Sequence, residues 1–393
     1  MAGDGRRGLR CGGRRDLKAT VVVESDIIRS PRVMQIEGLF DVPPTERAAL
    51  KWEADLPIEE RPWNVGRIVG PSGSGKSTVA RKLWPEQISR VYEWDARRSL
   101  LDSFPAEMGI KEIAELLSSV GFSTPPAWVR PFGVLSNGEQ FRVTMARVLA
   151  ETPKDEVAVV DEFTSVVDRT VARIGSHAIA KTVRRRGQRF VAVTCHEDVE
   201  EWLQPDWVYR PAEQAFAWRS LQRRPEIKLE VFRVHHKAWR IFQHHHYLSA
   251  DHNRSAKCFV AMHDGQPVAW TSWLPHFGQY KRKKIQRGHR LVVLPDFQGV
   301  GIGQAIHTFA ASLFAGLGFR AVTAATHPAE IAGRLRNPAW RLTRAPARTT
   351  GGRTGARPNM ARSRTRAVAS FEFLGEPMEK ERAEALLNHW IDL

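Results

Sequence analysis

The sequence predicts a two-domain α/β chain, and three observations predict it. A short apolar run, Val65 to Val69, leads into Gly70-Pro71-Ser72-Gly73-Ser74-Gly75-Lys76-Ser77-Thr78 and then Val79-Ala80-Arg81-Lys82-Leu83, a strand, a glycine-rich loop and a helix start. A second apolar run, Leu291 to Leu294, leads through Pro295-Asp296-Phe297 into Gln298-Gly299-Val300-Gly301-Ile302-Gly303 and another helix, Gln304 to Phe314. The chain has 393 residues, beyond the roughly 250–300 at which one core stops growing. The first loop anchors an open α/β domain, the second a smaller α+β domain.

The first loop has the spacing of a nucleotide phosphate loop. Its glycines let backbone N–H groups converge on phosphates, and the helix start adds partial positive charge. Lys76 is placed to reach the β- and γ-phosphates, and the Ser77 hydroxyl to complete a Mg²⁺ shell. The predicted ligands are therefore a nucleoside triphosphate and Mg²⁺.

Composition sets bounds. The hydrophobic fraction of 42% is ordinary for a globular chain. No apolar run reaches about 18 residues, since Ala305 to Ala325 is broken by His307 and Arg320, so no transmembrane helix is expected. The N-terminus lacks the apolar core of a signal peptide. The three scattered cysteines, Cys11, Cys195 and Cys258, suggest neither disulfide framework nor zinc site, and the cytoplasm is the expected compartment. The formal charge of +16 fits either contact with nucleic acid or another polyanion, or an arginine-rich solvated surface.

In chain order, residues 1–18 are Arg/Gly-rich and read as a disordered tail. Alternation in Thr20 to Glu24 and Val33 to Ile36 reads as short strands; Phe40 fits an adenine-stacking or a core strand position. Leu135-Ser136-Asn137-Gly138-Glu139-Gln140 precedes apolar residues at Phe141, Met145, Val148 and Leu149, which places Ser136 to Gly138 at a helix N-terminus. Val157 to Val160 reads as a buried strand ending in Asp161-Glu162, with Ser165-Val166-Val167-Asp168 beyond it. Phe190 to Thr194 is a second strand, ending in Cys195-His196.

This order of elements resembles the ABC-type ATPase domain over roughly residues 19–215. The resemblance implies that Asp161 holds Mg²⁺ through water, Glu162 orients the attacking water and His196 contacts the γ-phosphate. It also implies that Ser136 and Gly138 meet nucleotide bound to a second protomer, with Asp168 at the seam of an ATP-sandwiched homodimer. Asn137 stands where the family usually has a second glycine, and no Gln occurs from Ile88 to Asn137. The Asn137 change is mild, since Asn tolerates left-handed backbone; the missing Gln and the short segment between the phosphate loop and Leu135 both weaken a transporter reading.

A linker is expected over residues 216–230 and a second domain over 231–393. Val231, Phe232, Trp239 and Phe242 fall at helical spacing, followed by His244-His245-His246-Tyr247-Leu248-Ser249. Adjacent helical histidines point about 100° apart, so the run needs His252 or His263 to make a metal site. Lys257 to Met262 and Pro267 to Thr271 flank a turn and read as a hairpin. The Val293-x-Pro295, Gln298 and Gly299-x-Gly301-x-Gly303 pattern resembles the acyl-CoA motif of the GNAT acetyltransferases, over roughly residues 228–375. That resemblance implies acetyl-CoA as cofactor, its pyrophosphate wrapped by Gln298, Gly299, Val300, Gly301, Ile302 and Gly303. Pantetheine is then expected to pair along the strand through Leu291 and Val293, with a backbone N–H polarising the thioester carbonyl. The family often uses a tyrosine as acid, but none of the four tyrosines lies beyond the loop, leaving His327 as candidate acid and His289 as candidate base. Arg341 to Arg366 reads as a disordered basic insert, ahead of a strand (Ala367 to Leu374) and a helix (Met378 to Ile391).

The expectation is an ABC-type ATPase coupled to a CoA-dependent N-acyltransferase, acting on or near nucleic acid. The alternatives are a nucleic-acid-associated ATPase whose GNAT fold only binds, and the ATP-binding subunit of a transporter.

Overall fold

The computed structural model describes residues 17–26, 28–40, 43, 47–219, 227–246, 250–280, 283–348 and 367–393. Most of the expected tail (1–16), the middle of the linker (220–226), residues 247–249 of the histidine-rich string and most of the basic insert (349–366) lie outside the described residues.

The first described elements are β1 (Leu17–Asp26), α1 (Pro31–Phe40), β2 (Arg47–Leu56), the phosphate-loop strand β3 (Val65–Val69) and α2 (Lys76–Leu83). Helices α3 (Pro85–Ile88), α4 (Ile110–Ser119), α5 (Pro125–Trp128) and α6 (Asn137–Glu151) follow. Next come β4 (Val157–Val160), α7 (Arg169–Arg186), β5 (Arg189–Thr194), α8 (Val199–Leu203), β6 (Trp207–Arg210) and β7 (Ala215–Trp218). Then β8 (Glu230–Val234), α9 (Trp239–Phe242), β9 (Lys257–His263), β10 (Gln266–Tyr280), β11 (Lys283–Val293) and α10 (Ile302–Gly316). The last elements are β12 (Arg320–Ala325), α11 (Pro328–Leu335), β13 (Trp340–Arg348), β14 (Ala367–Phe373), α12 (Lys380–Asn388) and β15 (Trp390–Ile391).

These elements form two compact units that interleave along the chain rather than dividing near residue 215. The first comprises Met1–Val91, Thr152–Ser165 and Val183–Arg223; the second comprises Tyr92–Glu151, Val166–Thr182 and Arg224–Leu393.

In the first unit a five-stranded sheet has the order β4-β5-β3-β6-β7. The first four strands run parallel and β7 closes the edge antiparallel. β3 is central and buried at every residue, Arg67 included, as a strand flanked on both sides is. Gly66 is required there: a Cβ would sit 2.0 Å from Cζ2 of the buried Trp207 ring. Trp207 belongs to a core with Trp63, Ile68, Val79, Val159 and Val193. β1 and β2 pair antiparallel as a separate two-stranded sheet.

Five expectations are corrected. Val33 to Ile36 lies in α1, because Ser30 caps it (Val33 N–H to Ser30 Oγ, 3.4 Å) and Pro31 takes the first helical position. Phe40 ends that helix 70% exposed rather than in a core strand. Residues 216–218 of the expected linker are β7, and Val231–Phe232 is strand rather than helix because β8 pairs with β9. Arg341–Arg348 of the expected insert continues β13, whose register against β14 pairs Arg341 with Glu372.

The second unit holds an eight-stranded sheet, β13-β14-β12-β11-β10-β9-β8-β15. The expected hairpin is β9–β10, turning at Asp264 (φ 50°) and Gly265 (φ 74°), the left-handed pair of a type I′ turn. β11 and β12 run parallel but pair only over Ile285–Arg287. β11 also carries a β-bulge: Gly288 opposes Trp273 and Arg290 opposes Ser272, leaving His289 as the extra residue. Past the bulge β11 pairs with β10 alone. α10 packs Ala310 and Phe314 against Phe259, Trp273 and Phe371. From α7, Ile174 joins a core with Ala261, Ala269, Phe297, Ile302 and Ile306.

Candidate active sites

In the phosphate loop, Gly73 (φ 79°) and Gly75 (φ 85°) adopt left-handed backbone, and Gly75 enters α2 with no side chain capping the helix start. Pro71 and Ser72 are exposed, while Gly70 leaves room for Ser74, whose Oγ would lie 2.8 Å from a Cβ there. Lys76 is buried and its Nζ donates to the Pro71 carbonyl at 2.7 Å, so the ammonium curls back over the loop. Ser77 and Thr78 open the first turn of α2.

Because β3, β5 and β4 run parallel, their C-terminal ends share one edge of the sheet. That brings Asp161 to Ser77, whose hydroxyl donates to Asp161 Oδ1 at 3.0 Å. A hydroxyl and a carboxylate at this spacing suit a hard, oxygen-preferring cation such as Mg²⁺. Glu162 takes a left-handed backbone (φ 52°), a strain of about 1–3 kcal/mol for a non-glycine residue. Its N–H donates to Asp161 Oδ1 at 3.0 Å, and its exposed carboxylate accepts from Ser165 Oγ at 2.7 Å. His196 follows β5, its N–H donating to Thr194 Oγ1 at 3.2 Å.

Arg67, which sequence reasoning missed, is fully buried in β3. It pairs with Glu200 at 2.6 Å and Glu197 at 3.2 Å and donates to the His196 carbonyl at 2.7 Å. Burial lowers its pKa and the two glutamates oppose that shift. Arg67 thus fixes the backbone that carries His196. The signal was an arginine inside an apolar strand.

Ser136 caps α6 in a capping box. Glu139 N–H donates to Ser136 Oγ at 3.3 Å, and Ser136 N–H donates to Glu139 Oε2 at 2.9 Å. Asp168 caps α7, its Oδ1 accepting from Thr170 and Val171 N–H at 2.9 and 3.0 Å. A Cβ on Gly138 would touch Val171 at 3.4 Å, so the starts of α6 and α7 are neighbours. The structure therefore gathers Ser136, Gly138 and Asp168.

In the second loop, Gly299 (φ 88°) and Gly301 (φ 104°) are left-handed, and Gly301 enters α10 with no side-chain cap. Leu291, Val293 and Val300 are half-buried and pack on the core around buried Ile302. Gly288 is demanded by a close approach: a Cβ would lie 2.7 Å from His307 Nε2 and 2.9 Å from Thr323 Oγ1. Gly303 allows contact with Val293, whose Cγ2 would lie 3.1 Å from a Cβ. Gln298 is fully engaged, accepting from Ser123 N–H at 2.8 Å and donating to the Val293 carbonyl at 2.9 Å.

The two candidate proton carriers have separate surroundings. His289 Nε2 accepts from Asn253 N–H at 3.4 Å, and its ring centre lies 5.4 Å from that of His252. Burial first, then Arg290 and the neighbouring histidines, push its pKa down to about 3, so it is neutral and a weak base at neutral pH. His252, likewise lowered to about 4 by burial and Arg290, bonds to Ser272 Oγ at 3.0 Å. His327 caps α11, its Nδ1 accepting from Ala329 N–H at 3.2 Å, and its ring packs edge-on to Trp128. Its pKa is lowered by burial. Among the described residues no group of three or more His, Cys, Asp or Glu side chains could hold a metal ion. Gln243–His245 forms a single 3₁₀ turn.

Residues 254–335 match the model of the acetyltransferase (GNAT) domain. The Fe(3+) ions import ATP-binding protein FbpC of Streptomyces coelicolor is 29% identical over 176 residues, covering 36% of this chain and 49% of that protein. The chain thus spans about half the length of that relative. Among solved structures, the ATP-binding cassette MJ0796, dimeric with ADP and Pi, gives a TM-score of 0.35 at 16% identity, covering 46% of this chain and 95% of the other. The cbiO1 protein of Clostridium perfringens gives 0.31 at 17% identity, covering 43% and 78%. The chain is thus similar in part to an ATP-binding protein and, over residues 254–335, to the GNAT acetyltransferase domain. Among the described residues no helix is long and apolar enough to cross a membrane.

Proposed function

We propose that this ABC–GNAT chain is an ATP-dependent dimer that hydrolyses ATP and uses that cycle to control acyl transfer from acetyl-CoA to an amine. One observation carries the reading: two helices on one chain, α2 and α10, each follow a strand through a left-handed glycine, Gly75 or Gly301, with no side-chain cap. Such a helix start presents free N–H groups to an anion, and here two phosphate-bearing ligands are implied.

For the first, Lys76 and the N–H groups of Gly73 to Thr78 hold ATP phosphates, and Ser77 with Asp161 holds Mg²⁺. Mg²⁺ supplies charge neutralisation at the phosphates. Glu162 orients water, held by Ser165, and His196 faces the γ-phosphate from the backbone that Arg67 fixes. Ser136, Gly138 and Asp168 are offered to a second copy. For the second, the edge of β11 beyond Gly288, where pairing with β12 ends, supports an extended pantetheine, and the α10 start its pyrophosphate. The thioester supplies an activated acyl group. His289, at the bulge, is neutral and suited to accept a hydrogen bond from the acceptor amine. His327 is engaged as a cap and is left with a structural role. The charge of +16 supports an acceptor on or near nucleic acid, and the free thiols of Cys195 and Cys258 support a cytoplasmic setting.

Changing Glu162→Gln should leave ATP binding intact and slow hydrolysis, trapping a dimer. Light scattering after gel filtration is expected to give twice the monomer mass with ATP and Mg²⁺, and monomer with ADP. Monomer under both conditions would contradict the shared nucleotide site.

A further inference from the structure

Gly121 (φ 92°) and Gly299 (φ 88°) meet backbone to backbone. A Cβ on Gly299 would lie 2.8 Å from both Cα and N of Gly121, and one on Gly121 would lie 2.8 Å from the Gln298 carbonyl oxygen. Only glycine on both sides permits this approach. Two residues on, Ser123 N–H donates to Gln298 at 2.8 Å, while Trp128 packs on His327. The turn after α4 therefore grips the glycine-rich loop that precedes α10.

Arg142 makes a second link. It lies on α6, six residues past Ser136, or roughly 9 Å along the axis. Its side chain is 1% exposed, yet its nearest acid is Asp296 at 3.6 Å, and its Nε and Nη2 atoms find no hydrogen-bond partner. A buried guanidinium left so incompletely paired is costly, and a small shift of α6 changes its pairing. Asp296 of the second loop and Glu139 and Asp168 at the starts of α6 and α7 all act on its charge. From α7, Arg173 bonds to His263 at 2.8 Å and reaches Asp264 at 3.3 Å.

We infer that Gly121, Ser123 and Arg142 are positioning residues for the acyl-CoA loop, and that through them ATP-driven pairing of the ATPase domains tightens acyl-CoA binding. The inference rests on the reading of Gln298–Gly303 as that loop and of Ser136 and Gly138 as the surface a second copy engages. The helix whose start receives the second copy's nucleotide carries Arg142 against Asp296. Anchoring that helix holds the Gly121–Ser123 grip on Gln298 and Gly299, so the loop loses less freedom when acyl-CoA arrives. Linkage makes the effect reciprocal: each acyl-CoA bound favours the ATP-bound dimer by the same factor, so two per dimer favour it by the square of that factor.

The test uses the full-length Glu162→Gln protein and titrates CoA calorimetrically with Mg²⁺-ATP and with Mg²⁺-ADP. The expected result is roughly tenfold tighter CoA binding with ATP. Saturating CoA should also lower, by roughly the square of that factor, the protein concentration at which the ATP dimer forms. Arg142→Ala should bring the affinity ratio close to one. Should that variant fail to fold, Asp296→Asn removes the other, half-exposed end of the link and should reduce the ratio too. Equal CoA affinity in both nucleotide states, in protein that dimerises with ATP, would overturn the inference and leave both proposed activities standing. No CoA binding in either state would overturn the acyl-CoA reading and the inference with it.

Discussion

At the scale of single residues, two buried histidines make stability depend on pH. His289 and His252 have pKa values pushed down to about 3 and about 4 from 6.5, mainly by burial and by Arg290. Below pH 6.5 the unfolded chain binds protons that these native histidines refuse, so stability falls as pH drops toward their folded values and is flat above neutrality. Carboxylates titrate mostly below about pH 5, which leaves pH 6.5 to 5 as the window where the imidazoles dominate. Thermal midpoints should decline across that window, and His289→Asn should decline less steeply. A midpoint that rises on acidification would contradict the assigned burial. Arg67 works at the same scale, because its fully buried guanidinium ties β3 to the residue that follows β5.

At the scale of elements, β3 and β11 share one design: a strand delivering a glycine loop and an uncapped helix start. Each also needs a glycine for packing. Gly66→Ala would drive a methyl into Trp207 and should destabilise the protein by about 1–3 kcal/mol, read as a lower urea midpoint with enzyme sites otherwise intact. An unchanged midpoint would mean β3 and β6 can separate freely. Both loops were legible in the sequence because their chemistry is local: glycines, Lys76, Ser77 and the helix starts lie within a few residues of one another. The Asp161 contact was legible because an acidic pair ending an apolar strand points to one sheet edge. Arg67, Gly121 and Arg142 were not, since each is defined by partners far along the chain. The strand at Val231 was hidden for a similar reason, its pairing with β9 overriding a helical spacing.

For the whole molecule, the interleaving of the compact units matters more than the order of domains along the chain. Residues 92–151 and 166–182 carry Ser136, Gly138 and Asp168 yet belong with residues 224–393. On the proposed function, the residues offered to a second copy therefore share a compact unit with the matched residues 254–335, and that shared unit is the route proposed from the nucleotide cycle to acyl transfer. The most direct measurement incubates the purified protein with Mg²⁺ and acyl-labelled acetyl-CoA in fractionated cell extract, with and without ATP, beside a Lys76→Ala variant. Label is then followed into nuclease-sensitive, protease-sensitive and small-molecule pools. The account predicts ATP-dependent label in one pool, lost in the variant. Label that is equal with and without ATP, or absent from every pool although CoA binds, would contradict it.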